Sequence, residues 1–206
     1  MKIVLNNIGK RFNRHWIFKN INYEFSSDHA YVILGANGSG KSTLLQVLAG
    51  NSIPSEGLIS HFDKNGKISE EKIYTQVGIS APYSDLIEAY TLEEAIQFHF
   101  QFKEYYKGIT KENILDILGL DNSRKKNIKD FSSGMKQRVK LALAVLSNSP
   151  FLFLDEPLSN LDRNGVEWYR QLMKNHTENR LIVVCSNQQK DEYDFCTKEF
   201  SVEDFK

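Results

Sequence analysis

The sequence has few cysteines, few prolines and no excess of charge of either sign. It contains 2 cysteines and 4 prolines among 206 residues. Cys185 and Cys196 have neither metal-binding nor redox spacing, so a reduced, cytosolic setting is the simplest interpretation. Its 26 basic and 26 acidic residues cancel, which removes the usual electrostatic signature of a nucleic-acid-binding protein. No apolar run is long enough to predict a membrane span or the core of a signal peptide.

What the sequence does contain is an alternation of short apolar segments with amphipathic ones, which predicts an α/β protein. Strands are predicted over residues 2–8, 21–25, 30–34, 57–62 and 72–79, with a hairpin turn at 63–66, and also for "FLFLDEP" and for the five-residue apolar run that opens "LIVVCSNQQ". Helices are predicted for "KSTLLQVLAG", "AIQFHFQFKEYY", "KENILDILGL", "SGMKQRVKLALAVL" and residues 164–174. Thr91 and Glu94 form a capping box ahead of the second of these. We expect a single domain, with a core over about 1–90 and 132–206 and a helical lobe over about 91–131.

A glycine-rich turn, "GANGSGKST", separates an apolar strand from a helix. It fits the pattern G-x-x-x-x-G-K-[ST], in which backbone N–H groups and a helix N-terminus surround an anion. Lys41 is expected to reach the β- and γ-phosphates of a nucleotide, and Ser42 to ligate Mg²⁺. The predicted ATP-binding residues of this loop are Gly35, Ala36, Asn37, Gly38, Ser39, Gly40, Lys41, Ser42 and Thr43. The alternative, a glycine turn that binds nothing, is disfavoured by the strand–loop–helix context.

A second motif, "FLFLDEP", places two carboxylates at the end of an apolar strand. A phosphate loop needs such a carboxylate across the site to hold the metal ion. Asp155 is therefore a predicted Mg²⁺ ligand, directly or through water, and Glu156 a predicted catalytic residue that polarises the attacking water. Read alone, the motif could also be a turn that starts a helix at Pro157.

Together these motifs resemble the ATP-binding subunit of ATP-binding cassette (ABC) transporters. The resemblance is carried by "GANGSGKST", "FSSGMKQRVKLALA", "FLFLDEP" and "LSNLD", and it covers nearly the whole chain. It implies a P-loop nucleoside triphosphatase core with an antiparallel β subdomain and an inserted helical lobe. It also implies ATP and Mg²⁺ as cofactors and a head-to-tail dimer that sandwiches two ATP molecules.

The family's signature, usually L-S-G-G-Q, is matched by "FSSGM". The resemblance implies that Ser132, Ser133, Gly134 and Met135 contact the ATP held by a second subunit. An ordinary N-cap in front of an amphipathic helix is the alternative. The resemblance likewise implies that Asp162, in "SNLD", lies near the dimer partner.

Two positions depart from the family pattern. The family places a glutamine nine residues before a threonine like Thr91, and here that position is Pro82, which has no side-chain donor or acceptor. The glutamine's contact is then missing or comes from a neighbour. The family strand that corresponds to "LIVVCSN" ends in Thr-His, and here Ser186 and Asn187 occupy those two positions. Asn187 can donate a hydrogen bond to the γ-phosphate, but it cannot carry a proton charge.

Aromatic residues suggest two further contacts. Phe12 matches the family position whose ring stacks on adenine, with Trp16 and Phe18 as competitors and a core role for Phe12 as the alternative. In the predicted lobe helix, Phe98, Phe102 and Tyr105 share one face, which either packs within the lobe or forms an exposed patch for a partner. The resemblance implies that a membrane permease docks near the segment between Tyr83 and Tyr106.

The leading hypothesis is an ATP-binding and hydrolysing subunit that energises a separate permease through MgATP-driven dimerisation. It is expected in the cytoplasm, peripherally on the inner face of the cell membrane, with a second ATP-binding subunit and the permease as partners and no nucleic acid. One rival is a nucleotide-gated switch with weak or no hydrolysis, because Pro82 and Asn187 replace the usual glutamine and histidine. Another is a non-transport ABC ATPase.

Overall fold

Two β-sheets of different kinds organise the chain in the computed structural model, which describes residues 1–206. The strands are β1 (Lys2–Phe12), β2 (His15–Ser26), β3 (Ala30–Leu34), β4 (Glu56–Asp63), β5 (Gly66–Lys67), β6 (Val77–Ser80), β7 (Phe151–Asp155), β8 (Leu181–Ser186) and β9 (Lys198–Ser201). The α-helices are α1 (Lys41–Leu48), α2 (Ile73–Gln76), α3 (Leu92–His99), α4 (Lys111–Leu118), α5 (Ser133–Val145) and α6 (Arg163–His176). No helix combines the length and the apolarity needed to span a bilayer.

The two sheets differ in strand direction. One is antiparallel, with strand order β2-β1-β4-β5, and the other is parallel, with order β6-β7-β8-β3-β9. Helices α3, α4 and α5 lie between β6 and β7 in chain order. The predicted α/β fold, with an antiparallel subdomain and inserted helices, is confirmed.

The central parallel strands are buried along their whole length. Every residue of β7 and of β8 is buried, as expected for continuous apolar runs covered by helices on both faces. Their buried side chains divide between two hydrophobic clusters of 23 residues each. One cluster packs the antiparallel sheet and α1 against one face of the parallel sheet. The other packs α3–α6 against the opposite face of the parallel sheet. The inserted helices therefore share a core with the parallel sheet, and the division of the chain near 91 and 131 stays a prediction.

Local capping explains where the inserted helices begin. Thr91 and Glu94 form the predicted capping box at the start of α3, and Thr110 caps α4 in the same reciprocal way with Asn113. Such caps satisfy backbone N–H groups that have no partner within the helix. Gly119 ends α4 in the left-handed conformation, which glycine adopts without strain.

The strand predicted over residues 72–79 is wrong in its first half. A short 3₁₀ turn, Glu70–Lys72, leads into α2, and the strand begins only at Val77. The helical turn buries Ile73, which packs on Gly50, and leaves Tyr74 67% exposed. Burial of one apolar side chain against α1 thus overrides the alternating pattern. The predicted hairpin turn at 63–66 is present, but it joins β4 to the two-residue β5.

The long lobe helix predicted for "AIQFHFQFKEYY" is also wrong, because α3 ends at His99. The chain beyond it pairs with the segment after α5: Tyr106 N–H donates to Leu146 O, and Asn148 N–H donates to Glu104 O. These tertiary backbone hydrogen bonds replace helical ones. Phe98, Phe102 and Tyr105 therefore do not share a helix face.

Candidate functional site

The glycine-rich loop lies between β3 and the start of α1. Gly40 has φ 108° at the helix N-cap, and a Cβ there would lie 2.5 Å from Ile17 Cγ2. Only glycine fits this backbone without strain. Lys41 Nζ folds back over the loop and donates to the carbonyl oxygens of Gly35 (2.8 Å) and Ala36 (3.1 Å). Six of the nine predicted residues, 35–40, form the loop, and the other three, Lys41, Ser42 and Thr43, begin α1.

Strand register places the predicted site residues at one edge of the parallel sheet. β8 lies between β3 and β7. Leu34 pairs with Ser186, and Asp155 pairs with Cys185. The glycine-rich loop and the two carboxylates therefore flank Asn187, the first residue after β8. The carboxyl ends of parallel strands are where such sheets bind ligands.

Asp155 is a buried carboxylate without a hydrogen-bond partner. It is 1% exposed, and neither of its oxygens has a donor in hydrogen-bonding geometry. Burial raises the pKa of Asp155; the nearby Ser42 hydroxyl and Lys41 ammonium act in the opposite direction, while Glu156 adds to the increase. Orphaned carboxylate oxygens beside a hydroxyl fit a hard divalent cation such as Mg²⁺, which prefers oxygen ligands. Mg²⁺ commonly uses one or two carboxylates together with substrate phosphates.

Asn187 joins Lys41 to Glu156. Its Oδ1 accepts from Lys41 Nζ at 2.7 Å, and its Nδ2 donates to Glu156 Oε1 at 2.6 Å. Glu156 itself has φ 47°, an uncommon backbone conformation for a residue other than glycine, and its N–H donates to Cys185 O. Because a cation faces one end of the amide and a carboxylate the other, the orientation of the side chain is fixed. An amide can make both contacts at once without taking up a proton.

The segment after β6 carries a proline and then a tyrosine where the family pattern has a glutamine. Pro82 lies just beyond the last strand residue, Ser80, which pairs with Leu154. Burial raises the pKa of the next residue, Tyr83; the Asp155 carboxylate adds to the increase, and the Gln46 side chain opposes it. The Tyr83 side chain is nevertheless 41% exposed, so it lies at the protein surface, directly after the proline that replaces the usual glutamine.

The four signature residues lie at the start of α5, against the loop that follows the acidic strand end. Ser132 is the N-cap, and its Oγ accepts the Met135 N–H at 3.2 Å. The N-cap considered as the alternative is therefore present. A Cβ on Gly134 would lie 2.8 Å from Asn160 O, so the glycine lets the start of α5 approach the loop after Glu156. Ser133 is exposed, which leaves its side chain free.

Asp162 also acts as a helix cap within its own chain. Its Oδ1 accepts the Gly165 N–H at 2.8 Å and begins α6. This contact accounts for an aspartate at this position without a partner chain. The proximity to a partner subunit predicted from the sequence stays a prediction.

Phe12 lies at the exposed end of β1. Its side chain is 53% exposed, and the Lys10 ammonium is 5.3 Å from the ring centroid. A core role for Phe12 is therefore wrong. Of its competitors, Phe18 is fully buried and unavailable for stacking, and Trp16 is half-buried beside Arg11.

An apolar groove of about 210 Å³ runs along the outer side of α3. Its lining includes Ile87, Tyr90, Phe98 and Phe102, with Lys103 among the polar residues. Phe98 is 38% and Phe102 62% exposed, so the aromatic residues of this region form an exposed patch instead of packing fully within the lobe. The groove falls within the segment between Tyr83 and Tyr106.

Comparisons with known proteins agree with this geometry. The profile of the family described as "ABC transporter" matches residues 18–159. The energy-coupling factor transporter ATP-binding protein EcfA1 of Thermotoga maritima is 33% identical over 205 residues, which cover 95% of this chain and 77% of that protein. The bacitracin transport ATP-binding protein BcrA of Enterococcus faecalis is 29% identical over 187 residues, 88% of this chain but only 59% of the relative.

Solved structures show the same fold. The dimeric structure of MJ0796, a bacterial ABC transporter cassette, superposes with a TM-score of 0.79 at 23% identity and covers 98% of this chain and 95% of that one. Its post-hydrolysis state bound to ADP and Pi gives a TM-score of 0.80 at 24% identity, with coverage of 97% and 93%. Profile, relatives and fold agree: the chain belongs to the ABC transporter family, as one of its nucleotide-binding domains.

Proposed function

We propose that this chain binds MgATP, pairs with a second ATP-binding subunit and hydrolyses ATP to drive a separate membrane permease. The observation that supports this most strongly is the bridge from Lys41 through Asn187 to Glu156 beside the unpartnered Asp155. It supports roles for Lys41 in phosphate binding, for Asn187 and Glu156 in catalysis and for Asp155 in holding the metal ion, because all four lie at one sheet edge.

Asp155 and Ser42 are the side chains proposed to hold Mg²⁺. The ion would supply positive charge that draws electron density from the phosphate oxygens. Asp155 is already desolvated and carries no competing hydrogen bond, so a cation replaces no existing protein contact there. The loop residues 35–43 are proposed to hold the phosphates through backbone N–H groups, and Phe12 to stack on adenine.

Lys41 and Asn187 change partners when a triphosphate binds. Lys41 Nζ is satisfied by two carbonyls and by Asn187, and phosphate oxygens are the stronger, charge-assisted acceptors for it. Release of Lys41 frees the Asn187 amide to turn toward the γ-phosphate. Glu156, no longer held by Asn187, can then orient and polarise the attacking water.

Two further surfaces are proposed for partners. Ser132, Ser133, Gly134 and Met135, with Asp162, are proposed to face the ATP and the loop of a second subunit. The groove of α3 is proposed to receive the permease, because its aromatic side chains are exposed without a covering element. Relatives named as transport ATP-binding proteins support a cytoplasmic position, peripheral on the inner face of the membrane.

The decisive experiment compares steady-state phosphate release by the purified protein and by Glu156→Gln. We expect turnover in the parent and a loss of at least about 100-fold in the variant, because the amide cannot act as a base. The rival function is a nucleotide-gated switch with weak or no hydrolysis. It is suggested by Pro82 and Asn187, which occupy the positions where the family usually has a glutamine and a histidine. ATP-dependent dimers with no turnover in either protein would establish that rival instead, and a salt-sensitive nucleic-acid complex would favour a non-transport ATPase.

A further inference from the structure

The last residues of the chain lie against the glycine-rich loop. β9 runs parallel to β3, with Leu34 opposite Ser201. The chain therefore leaves the sheet at the same edge as the loop, and it continues there as a short 3₁₀ turn, Glu203–Phe205. We refer to residues 198–206 as the C-terminal strap.

Apolar contacts anchor the strap on both sides of Glu203. Val202 is fully buried, and its Cγ1 lies 3.4 Å from the position of a Cβ on Gly40. The Phe205 ring stacks on that of Phe200, with centroids 5.4 Å apart and planes at 6°. The residues on either side of Glu203 are thus held in place, which limits where its side chain can go.

The Glu203 carboxylate contacts the glycine-rich loop. Its Oε1 accepts the Ala36 N–H at 3.3 Å and lies 3.6 Å from the position of a Cβ on Gly35. The same side chain lines an open cleft with Asn187 and Gln188. Glu203 takes part in none of the salt bridges of the chain, and Lys41 is directed to carbonyls and Asn187 instead. A carboxylate without a cationic partner therefore faces the cleft where the phosphates are proposed to bind.

We infer that Glu203 sets the nucleotide affinity of the site: its carboxylate opposes the triphosphate and lowers the affinity for ATP more than that for ADP. The inference rests on the proposed function, because it needs a nucleotide in this cleft. Like charges repel across partly solvated protein, and the cleft that Glu203 shares with Asn187 is the end assigned to the γ-phosphate. The strap thereby keeps ATP binding weaker than the glycine-rich loop alone would make it.

The test is calorimetric titration of the full chain and of Glu203→Gln with the magnesium complexes of ADP and of a non-hydrolysable ATP analogue. Glutamine keeps an acceptor for the Ala36 N–H and removes the negative charge. We expect the variant to bind the analogue about 3- to 10-fold more tightly, with a smaller gain for ADP. The gain should shrink in about 0.5 M salt, which screens the repulsion.

Glu199→Gln is the matched control, because Glu199 is an exposed glutamate on β9 of the same strap. Thermal unfolding of all three proteins confirms equal folding. Equal or weaker binding of the analogue by Glu203→Gln, or the same gain in Glu199→Gln, overturns the inference. A parent protein that binds neither nucleotide overturns the proposed function itself, so the two failures are distinguishable.

Discussion

The carboxyl edge of the parallel sheet and the inserted helices around α3 are built on different physical principles. At the sheet edge, backbone register between buried strands sets the positions of Asp155 and Asn187. Around α3, surface side chains form ion pairs: Glu93 pairs with Arg124 and Lys111, which together lower its pKa to about 2. Exposed ion pairs contribute little to stability. The comparison predicts that α3 can be loosened while the sheet edge, held by main-chain pairing, keeps its geometry, even though both contribute to one hydrophobic cluster.

The strongest test of this difference weakens the lobe from inside. Ile96 is fully buried on α3, whereas Phe98, two residues later, is 38% exposed. We expect Ile96→Ala to lower the free energy of unfolding by about 3 kcal/mol, because it removes buried apolar groups and leaves a cavity. Urea unfolding measures this, and phosphate release at a temperature where the protein is folded should change less than about twofold.

Phe98→Ala is the control for that experiment, since it truncates a larger but more exposed side chain on the same helix. It should cost less than half as much stability as Ile96→Ala. If Ile96→Ala abolishes phosphate release in the folded protein, the lobe and the sheet edge are not independent and the comparison breaks.

The second test perturbs the sheet edge alone. Asn187 is exposed, so Asn187→Ala should change the free energy of unfolding by less than about 0.5 kcal/mol. Turnover should fall at least about fivefold, because the amide that is proposed to turn toward the γ-phosphate is removed. Asn187→His, which restores a donor and the usual family residue, should be tolerated. Unchanged turnover in Asn187→Ala would contradict this role and would show that Glu156 and Lys41 suffice for ATP hydrolysis without the Asn187 amide.

The smallest expected effect is a pH dependence of the lobe. His99 Nε2 donates to Ser147 Oγ, whose hydroxyl donates to Leu143 O. Burial, with a smaller contribution from the Lys103 charge, lowers the pKa of His99 from 6.5 to about 4. The unfolded chain therefore binds the proton first, and the stability present above pH 6.5 is lost as pH falls toward 4.

Between pH 7 and pH 5.5 this group should account for a loss on the order of 1 kcal/mol in the free energy of unfolding. Urea unfolding of the parent and of His99→Gln at both pH values isolates the contribution, since glutamine does not titrate. Identical losses in the two proteins would show that His99 is not the group responsible.

The site was more predictable than the lobe for a physical reason. A glycine-rich loop and an acidic strand end are encoded by neighbouring residues, so Lys41 and Asp155 could be identified from short patterns. Glu203 reaches the same edge from a separate segment, through strand pairing that no local pattern shows. The bridge from Lys41 through Asn187 likewise depends on β8 lying between β3 and β7.

Two of the errors in secondary structure came from tertiary contacts that override local preference. The apolar alternation at residues 72–79 is real, but Ile73 packs on Gly50 only from a helical turn. The lobe helix has suitable residues beyond His99, yet Tyr106 bonds to Leu146 instead. Each case replaces a weak local propensity with a contact to a distant segment.

The close approach of Gly134 to Asn160 has a mechanical consequence. With only 2.8 Å between a Cβ position on one and the carbonyl oxygen of the other, the start of α5 and the loop after Glu156 behave as a single stiff part. A displacement of the start of α5 should therefore move the loop after Glu156 with it, because close-packed atoms transmit displacement. We therefore expect α5 and the loop after Glu156 to move together as one unit.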